Sequence, residues 1–386
     1  MTTSVQKIDV IVIGAGIAGL GIAAQLGPYL RVLVLEQEAQ PGYHTTGRSA
    51  AVFSESYGGT TVRLLSRGSR DFLMQPPAGF ATDVLLVPRG FLFIARQDQR
   101  DSLEALAALP DMRATAIRMN PREACARMPL LRPEYVAEAL MDEGASDIDV
   151  HALHQGYAAM LRRNRGQLLC NAHATAIERQ RDNWRVTSDA GCFEAPLLVN
   201  AAGAWADELA SLAGVATIGL QPLRRTAALV DVPRMEGMER WPLTIDIDEE
   251  FYFKPDAGRL LISPGDETPS APCDAVPDEL DLAIAVDRIE RATTLDVRRM
   301  HSRWAGLRSF VADRTPVAGF APDAPGFFWL AGQGGYGIQT APALSRFAAS
   351  QLLGQAMPTD LADLGLTADS LSAGRLQRDV PVAPIA

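Results

Sequence analysis

Two glycine-rich stretches of this chain have a spacing that can bind nucleotide phosphates. The first, GAGIAG at residues 14–19, follows an apolar run and precedes a predicted helix. Gly14 would permit a tight turn, Gly16 would let the backbone approach a pyrophosphate, and Gly19 would let the helix pack on the strand. Glu36 ends the next apolar run, where its carboxylate could accept hydrogen bonds from a ribose and would repel a 2′-phosphate. We therefore predict a dinucleotide site; a glycine turn kept only for packing is the alternative.

The second stretch, LAGQGGYGIQTAPALS, occupies residues 330–345. Its glycines, between 332 and 337, lead into a predicted helix that begins near Ile338. A helix N-terminus at this point would stabilise the negative charge that a reduced flavin carries near N1 and O2. FAD is long and bound end to end, so distant segments must reach its flavin. We predict that the two glycine turns hold opposite ends of one FAD, which favours FAD over a nicotinamide cofactor.

A third segment, HTTGRSAA at residues 44–51, follows the second predicted strand closely. Its small and hydroxylated side chains suit contact with phosphate and flavin. An ordinary polar loop is the alternative.

The net charge of the chain disfavours some partners. The 36 basic and 46 acidic residues give a net charge of −10 over 386 residues, which disfavours nucleic acid and leaves no basic patch for a membrane surface. All basic residues except Lys7 and Lys254 are arginines, so an arginine by itself says little about function. The apolar run at 10–24 is too short and too rich in glycine to span a membrane, and it lacks the basic n-region of a leader. We expect a cytoplasmic protein without a transmembrane segment.

Neither the cysteines nor the histidines predict a metal site. The cysteines lie far apart, without metal or redox spacing, and we expect reduced thiols at Cys125, Cys170, Cys192 and Cys273. His151 and His154 are three residues apart and could bind a metal, but a solvated first helical turn is the expectation.

The order of predicted elements indicates an α/β protein with a parallel sheet. Strands at 8–13 and 31–36 flank a helix at 17–26, and residues 197–214 repeat the order of strand, turn and helix. Alternating residues at 221–264 predict antiparallel strands, including a hairpin through Pro-Asp-Ala-Gly. The other predicted strands lie at 84–94, 168–178, 184–188, 316–320 and 327–331, and the other helices at 101–128, 151–163 and 277–295.

The parallel and antiparallel regions alternate along the chain. We therefore predict a Rossmann-like FAD-binding domain interleaved with an antiparallel-sheet substrate domain. The predicted FAD-binding domain comprises residues 1–80, 141–220 and 305–375, the substrate-binding domain residues 81–140 and 221–304, and the tail residues 376–386.

A set of motifs, in order along nearly the whole chain, carries a family resemblance. After GAGIAG they are QPGYHTTGRSAA, DIDVHALHQGY, VNAAGAW, FYFKPDAG, WAGLRSFVAD and QGGYGIQT. With them the chain resembles the D-amino-acid oxidase superfamily of flavoproteins, and within it the bacterial FAD-dependent D-arginine dehydrogenases. The resemblance implies two interleaved domains, a non-covalent FAD and a D-amino acid as substrate.

The resemblance also implies site residues at matching positions. Arg225 and Arg308 would hold the substrate carboxylate, with a hydrogen bond from Tyr252. Gly335 and Gln339 would line the amino-acid site. Tyr57 and Ser54 would belong to a mobile loop, and the family has threonine at the position of Ser54. Ser49 and Ala50 would lie beside the reactive nitrogen of the flavin. The full set of predicted FAD contacts is Gly14, Gly16, Ile17, Ala18, Gly19, Glu36, Thr46, Gly47, Arg48, Ser49, Ala50, Ala202, Gly203, Trp205, Gly334, Gly335, Tyr336, Gly337, Ile338, Gln339 and Thr340.

Elementary chemistry supports the carboxylate site independently. A planar guanidinium can bind a carboxylate through two hydrogen bonds, and an arginine buried after the apolar WAGL needs an anionic partner. Tyr252 shares a predicted strand with Phe251 and Phe253, which would face the other side. The alternative for both arginines is a structural ion pair with a nearby aspartate, such as Asp313.

Two positions depart from the arginine-preferring pattern. Phe91 stands where those enzymes have the acid that holds the cationic end of the substrate, and Val52 stands where they have a histidine. With Leu243 and Ile245 they predict an apolar pocket, because burying a guanidinium there without a partner would cost roughly a few kcal/mol. We expect a preference for neutral, apolar D-amino acids. The alternative is that a neighbouring carboxylate replaces the missing acid, either Glu55 or Asp83.

The expected reaction is hydride transfer from Cα of a D-amino acid to FAD, giving an imino acid that hydrolyses to a 2-oxo acid and ammonia. No basic side chain of the motifs is placed to take the amine proton, so we expect water or a weak hydrogen-bond network to take it. Flavin-dependent oxidation of a 2-hydroxy acid or an N-methylated glycine is one alternative, and a non-catalytic flavin-binding subunit is another. The electron acceptor stays open, although the resemblance favours a dehydrogenase over an oxidase.

Overall fold

The structure is a computed structural model that describes residues 5–377. All but the first two residues of the predicted tail, 376–386, lie outside the described residues. The α-helices of the described part are α1 (Ile17–Leu26), α2 (Thr60–Met74), α3 (Arg100–Ala108), α4 (Pro110–Thr115), α5 (Pro121–Arg127), α6 (Val150–Arg163), α7 (Ala206–Leu212), α8 (Glu279–Ala292), α9 (Gly337–Leu352), α10 (Thr359–Asp363) and α11 (Ala368–Leu371). Between residues 5 and 377, none of these helices has both the length and the apolar character needed to cross a membrane.

The strands of the described part fall into four sheets. In chain order they are β1 (Gln6–Lys7), β2 (Val10–Ile13), β3 (Val32–Leu35), β4 (Val52–Phe53), β5 (Leu86–Pro88), β6 (Phe91–Ala95), β7 (Ala116–Met119), β8 (Glu138–Asp142), β9 (Ser146–Ile148), β10 (Gln167–Leu169), β11 (Ala174–Gln180), β12 (Asn183–Ser188), β13 (Gly191–Ala195), β14 (Leu197–Asn200), β15 (Gln221–Val230), β16 (Leu243–Asp246), β17 (Tyr252–Asp256), β18 (Arg259–Ser263), β19 (Thr268–Pro269), β20 (Met300–Phe310), β21 (Val317–Phe320) and β22 (Phe327–Ala331).

A six-stranded sheet in the order β10-β3-β2-β14-β22-β21 contains the predicted parallel strands. Its neighbours run parallel except β21 and β22. Strands β2 and β3 are apolar and buried along their whole length, as is expected of strands covered on both faces. Val10 and Val12 pack towards α1, α6 and α9, whereas Ile11 and Ile13 pack towards the four-stranded sheet β1-β13-β12-β11. The predicted α/β architecture is confirmed.

The carboxyl ends of β2, β14 and β22 meet at one edge of this sheet, so the glycine turns that follow them lie side by side. Their backbones come close together. A Cβ atom on Gly14 would lie 2.4 Å from the carbonyl oxygen of Ala201, and one on Gly19 would lie 1.8 Å from the carbonyl oxygen of Gly14. Gly14 also has a φ of +101°. The tight turn and the contact between helix and strand therefore both require glycine.

A nine-stranded sheet contains the predicted antiparallel strands, in the order β19-β15-β18-β17-β16-β6-β8-β7, with β20 paired to β15. Its pairs are antiparallel except β16 with β6. Phe251 and Phe253 pack on one face with residues of α8, and Tyr252 packs on the other face, as the alternation predicts. The face with Tyr252 is the one that carries the candidate site.

The segment 101–128, predicted as helical, is instead broken into α3, α4, β7 and α5. Pro110 and Pro121 each begin a new helix, because proline suits the first helical turn but interrupts a continuing one. Between these two helices, β7 pairs with β8.

The segment 84–94 does form two strands, but they do not pair with each other. β5 joins β9 in a three-stranded sheet, whereas β6 lies between β8 and β16. Two of the predicted domain boundaries, after residues 140 and 304, fall inside β8 and β20, which both belong to the nine-stranded sheet. The division into domains stays a prediction.

The two histidines of α6 have different surroundings. His151 is exposed, as a solvated turn predicts, but His154 is buried and its Nε2 lies 2.9 Å from the carbonyl oxygen of Ala15 in the first glycine turn. The expectation of a solvated side chain is therefore wrong for His154, which instead forms a hydrogen bond to the backbone of the first glycine turn. Burial lowers the pKa of His154 more than the bond to Ala15 raises it.

This lowered pKa predicts a dependence of stability on pH. The unfolded chain takes up a proton at this position near pH ~6.5, while the folded chain takes it up only at lower pH, so the contribution of His154 is complete above ~6.5 and is lost as the pH falls. The free energy of unfolding from urea titrations should decrease below pH ~6.5 by up to about 1.4 kcal/mol per pH unit from this group.

The matched variants are His154→Gln, which keeps a donor for Ala15, and His151→Gln. The first should flatten the pH dependence of unfolding, and the second should leave it as in the wild type. Equal slopes for all three proteins would contradict the role given to His154.

Candidate active site

A cleft follows the edge at which the glycine turns meet. One end, the nucleotide end, is a cavity of about 470 Å³ lined by Gly14, Gly16 and Glu36 together with parts of segments 42–46 and 201–205. Glu36 is buried, and its carboxylate oxygens accept hydrogen bonds from the backbone N–H of Ala15 at 2.7 Å and of Glu38 at 3.0 Å. Each carboxylate oxygen has further lone pairs, so Glu36 can still accept a hydrogen bond from a ribose.

The other end of the cleft, the flavin end, lies between the glycine turn at 332–338, segment 45–50 and strands β15, β17 and β20. Both ends share Gly16, Thr46 and Gly203 among their lining residues, so they adjoin. The predicted FAD contacts that line one or both ends are Gly14, Gly16, Ile17, Ala18, Glu36, Thr46, Arg48, Ser49, Ala50, Ala202, Gly203, Trp205, Gly334, Gly335, Gly337 and Ile338.

Five predicted FAD contacts line neither end of the cleft. They are Gly19, Gly47, Tyr336, Gln339 and Thr340. Gly19 packs α1 on the first turn, and the Thr340 hydroxyl donates to the carbonyl oxygen of Tyr336 at 2.8 Å. Arg48 lines the cleft, but its guanidinium donates to the carbonyl oxygens of Ala275 and Ala305 and pairs with Asp274. Its charge is therefore already compensated within the protein.

The polar groups of the cleft fit an FAD. Nε2 of Gln333, at the flavin end, is buried and has no hydrogen-bond partner within residues 5–377. A buried amide N–H without a partner is costly, and a carbonyl of a bound flavin would satisfy it. The Thr46 hydroxyl accepts a hydrogen bond from the N–H of Ile17 at 3.0 Å, which fixes segment 44–51 against the start of α1.

The register of β15 and β20 brings the two predicted carboxylate-binding arginines close together. Leu223 pairs with Arg308 and Arg225 pairs with Gly306, so the arginines are diagonal neighbours on one face. Tyr252, on β17, lines the same end of the cleft. The structure thus brings all three residues to the flavin end.

Arg308 has no carboxylate within ion-pair distance in the described residues. Burial opposes its charge, but the nearby Tyr252, Tyr57 and Glu249 favour it and hold the pKa of Arg308 above its ordinary value. A Cβ atom on Gly335 would lie 3.0 Å from the guanidinium carbon, so glycine at this position leaves room for the side chain. A guanidinium in this setting can receive an external anion.

Arg225, in contrast, is partly occupied. Its Nε donates to the carbonyl oxygen of Asp266 at 2.7 Å, and its Nη2 lies 3.4 Å from the carboxylate of Glu267. Arg314 holds the same carboxylate at 2.7 Å. Arg225 therefore does have a structural ion pair, but its partner is Glu267 and not the aspartate considered from the sequence, since Asp313 pairs with Arg375.

The residues of the predicted apolar pocket gather in one cluster on the site face of the nine-stranded sheet, but none of Phe91, Val52, Leu243 and Ile245 lines the flavin-end cavity itself. Phe91 stacks on Phe93 with ring centroids 4.3 Å apart, and Leu243 is the direct neighbour of Phe91 on β16. One apolar cluster contains Phe91, Leu243, Ile245, Val52, Tyr57 and Tyr252. Of the two carboxylates considered as substitute acids, Glu55 pairs with Arg70 and Asp83 is exposed.

Tyr57 packs against this apolar cluster. Its ring contacts Phe91 and Tyr336 edge to face, at centroid distances of 5.6 and 5.4 Å. Its hydroxyl donates to the carboxylate of Glu249 at 3.1 Å. Burial, with the charge of Glu249, raises the pKa of Tyr57 well above its ordinary value, so the hydroxyl stays protonated.

Ser54 and Gln339 contact each other, as neighbours in one site should. The Ser54 N–H donates to Oε1 of Gln339 at 3.1 Å, and both residues are buried. The Ser54 hydroxyl is bound to the carboxylate of Asp142 at 3.1 Å. Nε2 of Gln339 is buried without a partner in the described part of the chain.

A partly buried charge cluster lies beside this apolar cluster. Lys254, two residues after Tyr252, donates to Asp147 at 2.8 Å, and Arg89 donates to the same carboxylate at 2.7 Å. Asp147 pairs with Val52 across β9 and β4. The cluster carries one excess positive charge next to Val52.

Sequence reasoning missed four polar residues of the site: Asp142, Glu249, Glu267 and Gln333. Gln333 belongs to a motif that was identified, and its place inside a glycine turn was a usable signal. The other three depend on strand pairing and turns between distant segments, and no local pattern marks them.

A cleft of this kind, with a nucleotide end on a parallel sheet and a reaction end under a second sheet, defines a flavin-binding oxidoreductase. The family model described as "FAD dependent oxidoreductase", DAO, matches residues 9–351, and the chain belongs to this family. It is an FAD-dependent enzyme, which confirms the predicted cofactor.

Three similar proteins illustrate the range of the family. The bovine "FAD-dependent oxidoreductase domain-containing protein 1" is 24% identical, over 90% of this chain and 82% of its own. Mouse mitochondrial sarcosine dehydrogenase is 27% identical, over 83% of this chain and 37% of its own. The L-amino acid deaminase from Proteus vulgaris has a similar fold, with a TM-score of 0.80 and 16% identity over 97% of this chain and 98% of its own.

The glycine turn at the flavin end should not tolerate a side chain. Gly334 has a φ of +53°, and a Cβ atom there would lie 2.0 Å from the ring of Phe310. Gly334→Ala should cost about 3 kcal/mol or more, combining backbone strain with a steric clash, and should lower FAD occupancy. Urea unfolding and the ratio of flavin to protein absorbance measure the two effects.

Gly354→Ala is the matched control, because Gly354 has a φ of +63° but nothing within 4 Å of the added Cβ atom. It should cost only about 1 kcal/mol and leave FAD bound. If both variants lose the same stability and keep FAD, the close approach of Gly334 to Phe310 determines neither the stability of the protein nor its FAD occupancy.

Proposed function

We propose that this protein oxidises D-amino acids with neutral, apolar side chains by hydride transfer from Cα to FAD. The imino acid formed then hydrolyses to a 2-oxo acid and ammonia. The observation that carries the proposal is Arg308, a cation at the flavin end with no ion-pair partner in residues 5–377. Its planar fork matches an α-carboxylate.

The residues around Arg308 would fix the carboxylate. Arg225 keeps one guanidinium nitrogen, Nη1, outside the bonds to Asp266 and Glu267, and Tyr252 offers a hydroxyl from β17. An anchor at three points would hold the Cα–H towards the flavin, and such orientation is the main contribution that a protein makes to hydride transfer. When bound, FAD supplies the hydride acceptor.

The apolar cluster around Phe91 supports the choice of side chain. A substrate guanidinium at this point would meet Phe91 and Leu243, and the excess positive charge of the Lys254 cluster lies nearby. Both features oppose a cationic side chain and suit a neutral, apolar one.

The proposed D-configuration of the substrate rests on the motif resemblance. Because the chain is also similar to an L-amino acid deaminase, the L-configuration has to be tested as well. The similarity to sarcosine dehydrogenase supports an N-methylated glycine as the second candidate substrate. Each of these molecules carries the carboxylate that Arg308 would bind. By the same resemblance we propose a dehydrogenase, with an electron acceptor other than oxygen.

A substrate panel tests the proposal directly. Flavin bleaching is followed without oxygen for the D- and L-forms of methionine, phenylalanine and arginine, and for sarcosine and a 2-hydroxy acid. D-methionine or D-phenylalanine should exceed D-arginine in kcat/KM by about tenfold or more, because one buried, unpaired charge costs at least that much. Arginine better by tenfold would overturn the apolar preference, and activity confined to L-forms, sarcosine or hydroxy acids would overturn the proposed substrate. Admitting air to the reduced enzyme then shows whether oxygen reoxidises it.

Removing the unpaired cation should disable substrate capture. Arg308→Met should raise KM by about 100-fold and slow single-turnover flavin reduction, since charge-assisted hydrogen bonds contribute about 1.5–3 kcal/mol each. Arg303→Met is the control, because Arg303 lies on the same strand but is exposed and pairs with Glu279; it should stay within about twofold of the wild type. Unchanged flavin reduction in Arg308→Met would remove Arg308 from this role.

A further inference from the structure

Glu267 is an acid of the protein that stands beside the candidate carboxylate site. Arg225 is buried and lines the flavin end of the cleft together with Arg308. Nη2 of Arg225 lies 3.4 Å from Oε1 of Glu267. One of the two arginines that would bind a substrate carboxylate is therefore already within reach of a carboxylate of the protein, and the two anions would compete for it because like charges repel.

The backbone of Glu267 is tied to the strand that carries Arg225. The residues that follow Glu267 form β19, which pairs with β15. The carboxylate of Asp266 accepts hydrogen bonds from the backbone N–H and the hydroxyl of Thr226, at 2.7 and 2.9 Å. Because these contacts fix the segment, the direction of the Glu267 side chain decides how closely its carboxylate approaches Arg225.

Arg314 binds the same carboxylate more closely than Arg225 does. Its Nη1 and Nη2 donate to the two carboxylate oxygens of Glu267 at 3.0 and 2.7 Å, so the pair is bidentate. Burial opposes the charge of Glu267, but the hydrogen bonding from Arg314 and the charges of Arg314, Arg225 and Arg308 hold its pKa below the ordinary value. Glu267 is thus charged at neutral pH, and Arg314 is its stronger partner.

The turn that follows β20 holds Arg314 in place. Its backbone N–H donates to the carbonyl oxygen of Val311 at 2.9 Å, and its φ of +55° is uncommon for a residue other than glycine. Its guanidinium carbon lies 3.8 Å from the centroid of the Phe310 ring, a contact that favours a cation. Since β20 also carries Arg308, one strand and its turn position both the arginine for the substrate and the arginine that engages Glu267.

We propose that Arg314 is a positioning residue for the substrate. By binding Glu267, it keeps this carboxylate from pairing fully with Arg225, so that guanidinium N–H groups of Arg225 remain available to the carboxylate of the substrate. Without Arg314, the Glu267 side chain turns to Arg225, and a substrate has to displace it. The inference rests on the proposed binding of a carboxylate at Arg308 and Arg225, and it adds what sets the affinity of that site.

The test is a double-mutant cycle of Arg314→Met and Glu267→Gln in the holoenzyme. The probe is phenylpropanoate, which is phenylalanine without its amino group, and its dissociation constant is read from the shift of the flavin spectrum. Arg314→Met should raise this constant about fivefold, since the pair that it breaks is partly exposed and of modest strength. In the Glu267→Gln background, the same substitution should change it by less than about 1.5-fold. Glu267→Gln alone should bind the probe as tightly as the wild type or more tightly.

Steady-state and rapid-mixing kinetics supply a second readout, which a merely structural role would not produce. For the best substrate of the panel, Arg314→Met should raise KM about fivefold and keep the rate of flavin reduction at saturation within about twofold. Arg375→Met is the matched control, because Arg375 pairs with Asp313, the neighbour of Arg314 in the chain, rather than with Glu267. It should keep KM and the dissociation constant within about 1.5-fold of the wild type. Should Arg314→Met fail to fold, Arg314→Lys, which gives up the bidentate pair, takes its place in the cycle with the same expected signs.

The outcomes separate this inference from the proposed function. If phenylpropanoate does not bind the wild type, or binds Arg308→Met equally well, the proposed carboxylate site fails. If the probe binds through Arg308 and Arg314→Met costs the same factor in both backgrounds, Arg314 acts by its charge at a distance and not through Glu267. If Arg314→Met costs nothing, or Glu267→Gln alone weakens binding, Glu267 does not compete for Arg225. Each of the last three results would overturn the role given to Arg314.

Discussion

A charge that a protein buries must meet an opposite charge or a full set of hydrogen bonds, and this constraint organises the whole cleft. Glu36 meets two backbone N–H groups, Lys254 meets Asp147, and Arg225 meets Glu267. Arg308 meets no anion among the described residues. Arg308 is therefore a cation at the flavin end whose counter-charge the described protein does not supply, and the proposed binding of a substrate carboxylate rests on this feature.

The two large sheets contribute different groups to the cleft. The parallel sheet brings three turns to one edge, where backbone groups can follow a long cofactor, and its strands β2, β3 and β22 are apolar along their whole length. The nine-stranded sheet supplies long side chains on one face, spaced by the register of β15, β17 and β20. Because these strands are paired along their length, the arginines and Tyr252 are held by a rigid surface rather than by a loop.

Periodicity within short windows made much of the fold predictable. The strand, turn and helix at 8–26 and the opposite faces of Tyr252 and its neighbours follow from local pattern alone. The prediction of a helical segment over 101–128 was wrong, but the sequence could have corrected it, because Pro110 and Pro121 mark where new helices begin. The approach of Phe91 to Asp142 depends on the pairing of strands far apart in sequence, which a local window does not contain.

The scarcity of lysine has a practical consequence for handling this protein. Among the residues the structure describes, Lys7 is exposed on the edge strand β1, while Lys254 is buried against Asp147. Among the described side chains, reagents that acylate amines will therefore react essentially at Lys7, on a different sheet from Arg308 and Tyr252. Lys7 is thus the side chain to which a dye, a surface tether or an electrode linker can be attached away from the flavin end of the cleft.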